Sequence, residues 1–276
     1  MQNPLLELKE YEDLAQAIYK GQGPVQATGT LDSQKVHLMY ELGRGYPWKL
    51  VVTYDELRAK EIYDDYRNFT KQVWLYPAKD LLFYAADIHG NMMARQRIQV
   101  QKALMEEMGG VVITTLDGLM DHLLPPDHLA SHVIWVENGQ KLDLEKLKKE
   151  LVALGYERTA QVDGMGQFSI RGGILDIFPL TEEFPVRIEM WDDEIDSIRS
   201  FDLESQRSLE QLEEIRIYPA QEVILSHNQL KRGSAALGKK QVTAKPFSGK
   251  TGRLKKATGL LLLLKSLRKA WKKSGK

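Results

Sequence analysis

The sequence predicts an α/β protein: a parallel-sheet domain with helices on its faces, then a smaller α+β domain with an antiparallel sheet, then a basic tail. Three observations predict it. Up to about residue 122, unbroken apolar runs alternate with amphipathic segments, the pattern of strands buried on both faces between helices. Beyond the proline pair Pro125-Pro126 the strands instead alternate apolar with polar residues and follow one another with few helices between. Beyond Glu222 there is no acidic residue at all.

The elements follow in order. Residues 4–20 read as a surface helix, with Pro4 suited to its first turn and Gly21 to its end. "PVQATG" (24–29) reads as a short first strand and "DSQKVHLMYELG" (32–43) as a helix stopped by its glycine. "WKLVVTY" is a buried strand, and Asp55 is placed to cap the helix "ELRAKEIYDDYRNF". The strand "QVWLYP", the helix "NMMARQRIQVQKALMEEMGG" and the strand "GVVITTL" complete the first domain, residues 1–127. In the second, residues 128–218, "SHVIWVE" is a strand and "DLEKLKKELVALG" a short amphipathic helix. "FPVRIEMWDDEIDSIRSF" puts Val186, Ile188 and Met190 on one face and Arg187, Glu189 and Trp191 on the other, then turns at an acidic corner. Residues 219–276 form the tail, disordered or partly helical around 260–273.

The formal net charge of zero conceals an asymmetry. Residues 1–222 hold all 38 acids and 23 of the 38 Lys and Arg, a balance of −15, and residues 223–276 hold the other 15 cations. Body and tail are therefore two objects joined end to end. No cysteine is present, which excludes a disulfide framework, a thiolate metal site and cysteine catalysis, and fits a reducing, cytoplasmic setting. The longest apolar run, Leu260–Leu264, is far too short to span a membrane.

Motifs for chemistry are weak. A phosphate-binding loop needs a glycine-rich turn and a Lys-Ser/Thr pair at the following helix; "ATGTLDSQK" has only Gly29, and Lys35 comes too late. Gly249-Lys250-Thr251 has Ala244 where the leading glycine should stand, and no strand before it. His122, His128 and His132, with Asp121 and Asp127, match no compact metal-ligand spacing. Asp192, Asp193, Glu194 and Asp196 suit a solvated turn better than a metal or acid–base site. No catalytic residue, cofactor site or metal site is expected. The tail, with Phe247 and Trp271 as its only aromatics, allows loose, non-specific nucleic-acid binding through residues 226–276.

The most specific stretch is "GQFSIRGGILDIFPL" (166–180), continued by "TEEFPVRIEMWDDEIDSIRSFDLESQRSLEQLEEIRIYPA". With its Phe-x-x-Arg-Gly-Gly core, Asp-Ile-Phe-Pro exit and Asp-Asp-Glu-Ile-Asp-Ser corner it resembles the N-terminal region of the bacterial transcription-repair coupling factor (Mfd), itself similar to the start of the excision-repair protein UvrB. The resemblance covers roughly residues 1–225. It implies a degenerate helicase-like (RecA-like) first domain without a nucleotide site, in which "YPAKDLLFYAADIHGN" stands in place of UvrB's long hairpin. It also implies that 128–218 is the UvrB interaction module, which binds UvrA. By that resemblance Arg171 and Arg158 are partner-binding residues, Phe168 is an apolar anchor, and Gly172 and Gly173 allow a bulge and close approach of a partner backbone. Without it, Arg171 pairs internally with Asp176 or a neighbouring acid. The family's motor domains have no counterpart here, and the change of sequence character near 225–235 reads as a truncated or frameshifted end. The resemblance thus implies a non-catalytic UvrA-binding module of nucleotide excision repair. The rival readings are a nucleic-acid-binding protein acting through its tail, a P-loop ATPase, and a relic that does not fold.

Overall fold

The computed structural model describes residues 4–79, 88–121, 123, 125–222 and 224. A 3-10 turn at Pro4–Glu7 leads into helix α1, Lys9–Tyr19, which is amphipathic yet has no buried residue. The strand expected at 24–29 does not form: this stretch has no regular structure, and Val25 is 44% exposed. Its apolar content is slight, and a strand is stable only beside a partner ladder; none among the described residues reaches it.

Helix α2 (Asp32–Gly43), strand β1 (Trp48–Thr53), helix α3 (Glu56–Tyr66), strand β2 (Val73–Tyr76), helix α4 (Ile88–Met105) and strand β3 (Gly110–Thr115) then build the first layer structure. Asp55 caps α3 as its sequence position predicts, its Oδ1 accepting from the Arg58 N–H at 2.7 Å. The sheet runs β1–β3–β2, all parallel, with Leu50 opposite Val112 and Leu75 opposite Ile113. β3 is central and buried throughout, which is why its apolar residues run unbroken. Val73, Leu75, Val111 and Ile113 pack on one face against α2 and α3 through Val36, Ala59, Ile62 and Tyr66. On the other face Tyr76 and Val112 pack against Val100 of α4. Helix α5 (Leu116–Met120) follows β3, capped by the Thr115 hydroxyl, which accepts from Gly118 N–H at 3.1 Å. At the turn tested as a phosphate loop, Lys35 is bound to Asp32 at 2.8 Å.

The second layer structure begins with helix α6 (Pro126–Ala130), strand β4 (Ile134–Glu137), helix α7 (Leu144–Ala153) and strand β5 (Glu157–Arg158). Strands β6 (Gln167–Arg171), β7 (Ile174–Ile177), β8 (Val186–Trp191), β9 (Glu194–Phe201), β10 (Ser208–Leu212) and β11 (Glu214–Ile217) complete it. Six of these strands form a sheet in the order β10–β9–β8–β7–β6–β5, antiparallel except where β5 meets β6. β11 pairs antiparallel with β4. The apolar face of the large sheet, including Phe168, Leu175, Ile177, Val186, Ile188 and Ile198, closes on Leu147 and Leu151 of α7 and on Val136, Ile215 and Ile217. The acidic corner is a tight turn between β8 and β9, with Trp191 paired to Glu194 and Asp192 at φ +59°, a conformation Asp tolerates better than most residues.

The two layer structures share a seam along α4. Ile98 packs with Leu180 and Tyr218, and the Tyr218 hydroxyl donates to Glu106 at 2.8 Å. Among the described residues no helix is long and apolar enough to cross a membrane.

Candidate functional site

The Arg-Gly-Gly at 171–173 lies where β6 meets β7. Arg171 pairs with Ile174, so Gly172 and Gly173 are the two central residues of a hairpin turn. Gly172 takes φ +60°, the left-handed backbone that a glycine at the first turn position adopts without steric cost. The bulge expected here is absent: the β6–β7 register runs without a shift, because the two residues that would have formed the bulge are used up in reversing the chain. The close approach that Gly173 permits is made by the protein's own strand β8. Met190 N–H donates to the Gly173 carbonyl at 2.8 Å, and a Cβ on Gly173 would lie 2.9 Å from the Met190 carbonyl oxygen.

The antiparallel register aligns Ser169, Asp176, Arg187 and Arg199 in one row across four strands, on the face opposite the apolar core. Asp176 sits in that row with only 1% of its surface exposed. A buried carboxylate must be paired and hydrogen-bonded, and two guanidiniums do this. Arg187 grips it through Nε to Oδ1 at 2.6 Å and Nη2 to Oδ2 at 3.0 Å; Arg171 Nη2 reaches Oδ2 at 2.6 Å. Arg187 is itself fixed from outside, donating to Gln206 Oε1 at 3.0 Å and lying 4.5 Å over the Phe201 ring. The Asp176 hydrogen bond, before any other cause, raises the Arg187 pKa. Next in the row Arg199 pairs with Glu189.

Arg171 therefore does pair with Asp176. It is nevertheless the outer arm of the cluster: its side chain is 49% exposed, against 18% for Arg187. Two cations share one carboxylate, so the group keeps one positive charge, and the free side of Arg171 carries it to the surface at the hairpin tip.

The other expected contact residues are arranged differently. Phe168 is fully buried in the core beneath the sheet; the expected surface anchor is a packing residue, because strand alternation turns it away from the Ser169–Asp176 row. Arg158 lies on the two-residue edge strand β5, opposite Phe168, and is exposed. Register thus puts Arg158 and Arg171 on opposite faces of the sheet, near the same edge. Arg158 acts weakly on Glu145 of α7, whose pKa is lowered mainly by the Lys148 hydrogen bond and least by Arg158. Sequence reading missed Arg187, Gln206 and Phe201. Only Arg187 had a readable signal, its place on the polar side of an alternating strand opposite Asp176.

The remaining candidates take structural parts. His128 and His132 pack ring to ring at 4.7 Å and bond to backbone carbonyls of Ile224 and His128. Among the described residues no group of three His, Asp or Glu is arranged to hold a metal. Asp193 pairs with Lys141 at 3.0 Å beside the β8–β9 turn. His122, residues 80–87 of "YPAKDLLFYAADIHGN" (76–91), the Gly-Lys-Thr at 249–251 and the tail beyond residue 224 lie outside the described residues.

Comparison with known proteins bears on this geometry. Residues 134–223 match the family model of the UvrB interaction domain, a span that contains β4 to β11 and the whole arginine–aspartate cluster. Over 228 residues, 82% of this chain, the sequence is 33% identical to a transcription-repair-coupling factor of Staphylococcus aureus strain Mu50. Over 177 residues, 63% of the chain, it is 36% identical to the transcription-repair-coupling factor of Bacillus subtilis strain 168. The matched regions are 19% and 15% of those relatives, so the chain spans about a fifth of their length or less.

Proposed function

We propose that this chain, whose residues 134–223 match the UvrB interaction domain and which is similar over about four fifths of its length to transcription-repair-coupling factors, is a non-catalytic interaction module of transcription-coupled nucleotide excision repair that binds UvrA. The observation that carries the reading is the half-exposed Arg171, pre-set on a rigid hairpin by a buried carboxylate that a second arginine already neutralises. An arginine held in one geometry loses little rotamer freedom on binding, and its planar fork suits a partner's carboxylate. Gly172, which has no neighbour within 4 Å of a Cβ position, leaves the hairpin tip bare. Arg158 is the second contact, and a partner meeting both arginines wraps the β5–β6–β7 edge. Phe168 supports the strand from below.

Calorimetric titration of the protein into purified UvrA tests this. One saturable site, weakened at least about tenfold (about 1.4 kcal/mol) by Arg171→Ala and by Arg158→Ala, is the expected result. Unchanged affinity in both variants, or no heat from folded protein, would overturn it.

A further inference from the structure

An open apolar groove runs between α1 and α2. It comprises two adjoining hollows of about 700 and 420 Å³, floored by Leu14, Ile18, Leu38, Met39 and Leu42 and rimmed by Tyr11. α1 has a distinct apolar face, but Tyr11, Leu14, Ala15 and Ile18 on it are only partly buried, less cover than an amphipathic helix ordinarily has. The groove's surroundings are acidic. Glu10, Glu12 and Asp13 are exposed on α1 and form no ion pair with any described residue, and Glu41 stands at the groove wall. The cations facing this region are Lys9 and Lys20 at the two ends of α1 and Arg44, which pairs with Glu41 at 3.2 Å, so the unpaired carboxylates here, among the described residues, are those of α1.

The same chain contains a segment of complementary chemistry. Leu260, Leu264, Leu267 and Trp271 recur at i, i+4, i+7 and i+11, the spacing that gathers residues on one helical stripe. Lys265, Arg268, Lys269, Lys272 and Lys273 are interleaved with them, and no acid is near. The tail's 15 cations equal the deficit of 15 in residues 1–222. We propose that residues 260–271 dock as an amphipathic helix in the α1–α2 groove, their leucine stripe on its apolar floor and their lysines toward the α1 carboxylates. Thirty-five residues separate Ile224 from Leu260, a length of chain whose extreme reach is about 115–125 Å. A helix-in-groove contact of this kind gains from apolar burial, while the charges fix its direction and make it salt-sensitive. A second copy of the acidic body would meet repulsion at the same place.

The absence of cysteine makes the test direct. A nitroxide on Ser266→Cys in the full chain should selectively broaden amide signals of residues 11–19 and 38–46. The broadening should be lost with Leu264→Asp/Leu267→Asp and weakened by high salt, with the other amide signals unmoved. Three outcomes would each overturn the proposal: no selective broadening, broadening centred on another part of the body, or broadening only when labelled and unlabelled chains are mixed at raised concentration. So would transfer of the tail to anionic phosphatidylglycerol vesicles with the groove signals already identical to those of the Asp variant. UvrA titration is independent of this test, so either reading can fail alone.

Discussion

At the scale of single residues, the Arg171–Asp176–Arg187 cluster separates what holds the fold from what is free for a partner. Asp176 and Arg187 are the inner pair, bidentate and largely withdrawn from water. Removing Asp176 leaves Arg187 only the field of Glu189, which is already paired with Arg199, and breaking a buried pair from one side costs about 3–5 kcal/mol. Arg171 is half exposed, and an exposed ion pair contributes about 0–1 kcal/mol. Asp176→Ala should therefore lower the unfolding free energy by roughly 3 kcal/mol in urea titration, while Arg171→Ala should stay within about 1 kcal/mol of the parent. Equal losses for the two variants would mean that Arg171 is an internal strut, and would remove the main support for its role at an interface.

At the scale of elements, much was readable from sequence because burial and period agree. β3 is apolar without a break and is buried throughout; β8 alternates and is half-buried. Asp55 and Asp143 cap the helices they precede, Asp55 as its position in the sequence predicted. What could not be read depended on partners distant in sequence. Residues 24–29 had the composition of a short strand, but strand formation is decided by a neighbouring ladder. β5 is two residues long, below any periodic signal. The resemblance implies that Phe168 is an apolar anchor beside Arg171; the two-residue period of the strand places it on the other face, in the core. The two glycines were seen as special, yet turn and bulge share that residue signature, and only the pairing of Arg171 with Ile174 distinguishes them. The hairpin also sets the second prediction. Gly173→Ala would press a methyl on the Met190 carbonyl and strain the bond from Met190 N–H, so it should cost about 1–3 kcal/mol, the usual range for overpacking. Thermal unfolding of Gly173→Ala against the parent measures this; an unaltered midpoint would show that β8 yields easily and that the turn is not rigidly set.

At the scale of the molecule, the question is whether two sheets of different type behave as one body. Helix α4 belongs to the parallel sheet, but its side chains reach the other. Arg97, 1% exposed, lies 4.1 Å over the Tyr76 ring and donates to the Pro77 carbonyl at 2.5 Å and Asp121 at 2.9 Å. It also pairs with Glu222, which follows β11 in the chain, and Lys79 reaches the same carboxylate at 2.6 Å. Lys102 pairs with Glu182, and Arg95 Nη2 donates to the Glu182 carbonyl. With the apolar seam of Ile98, Leu180 and Tyr218 beneath, these contacts make the opening of one sheet expose buried charge in the other. A single cooperative transition is therefore expected, with calorimetric and van't Hoff enthalpies equal. Arg97→Met keeps most of the volume and the contact with Tyr76 but takes the guanidinium from both Glu222, which retains Lys79, and Asp121, which retains the Lys79 N–H, so a loss of about 3 kcal/mol, the low end for a broken buried pair, is expected and the transition should broaden or divide. Adding Glu222→Gln should recover part of that loss, since it removes the excess negative charge that Lys79 alone leaves beside Asp121. Two separated transitions in the parent, or a full loss that Glu222→Gln does not relieve, would show that the seam is packing without coupling. The hairpin bearing Arg171 would then be mounted on the antiparallel sheet alone, and its rigidity would owe nothing to α4.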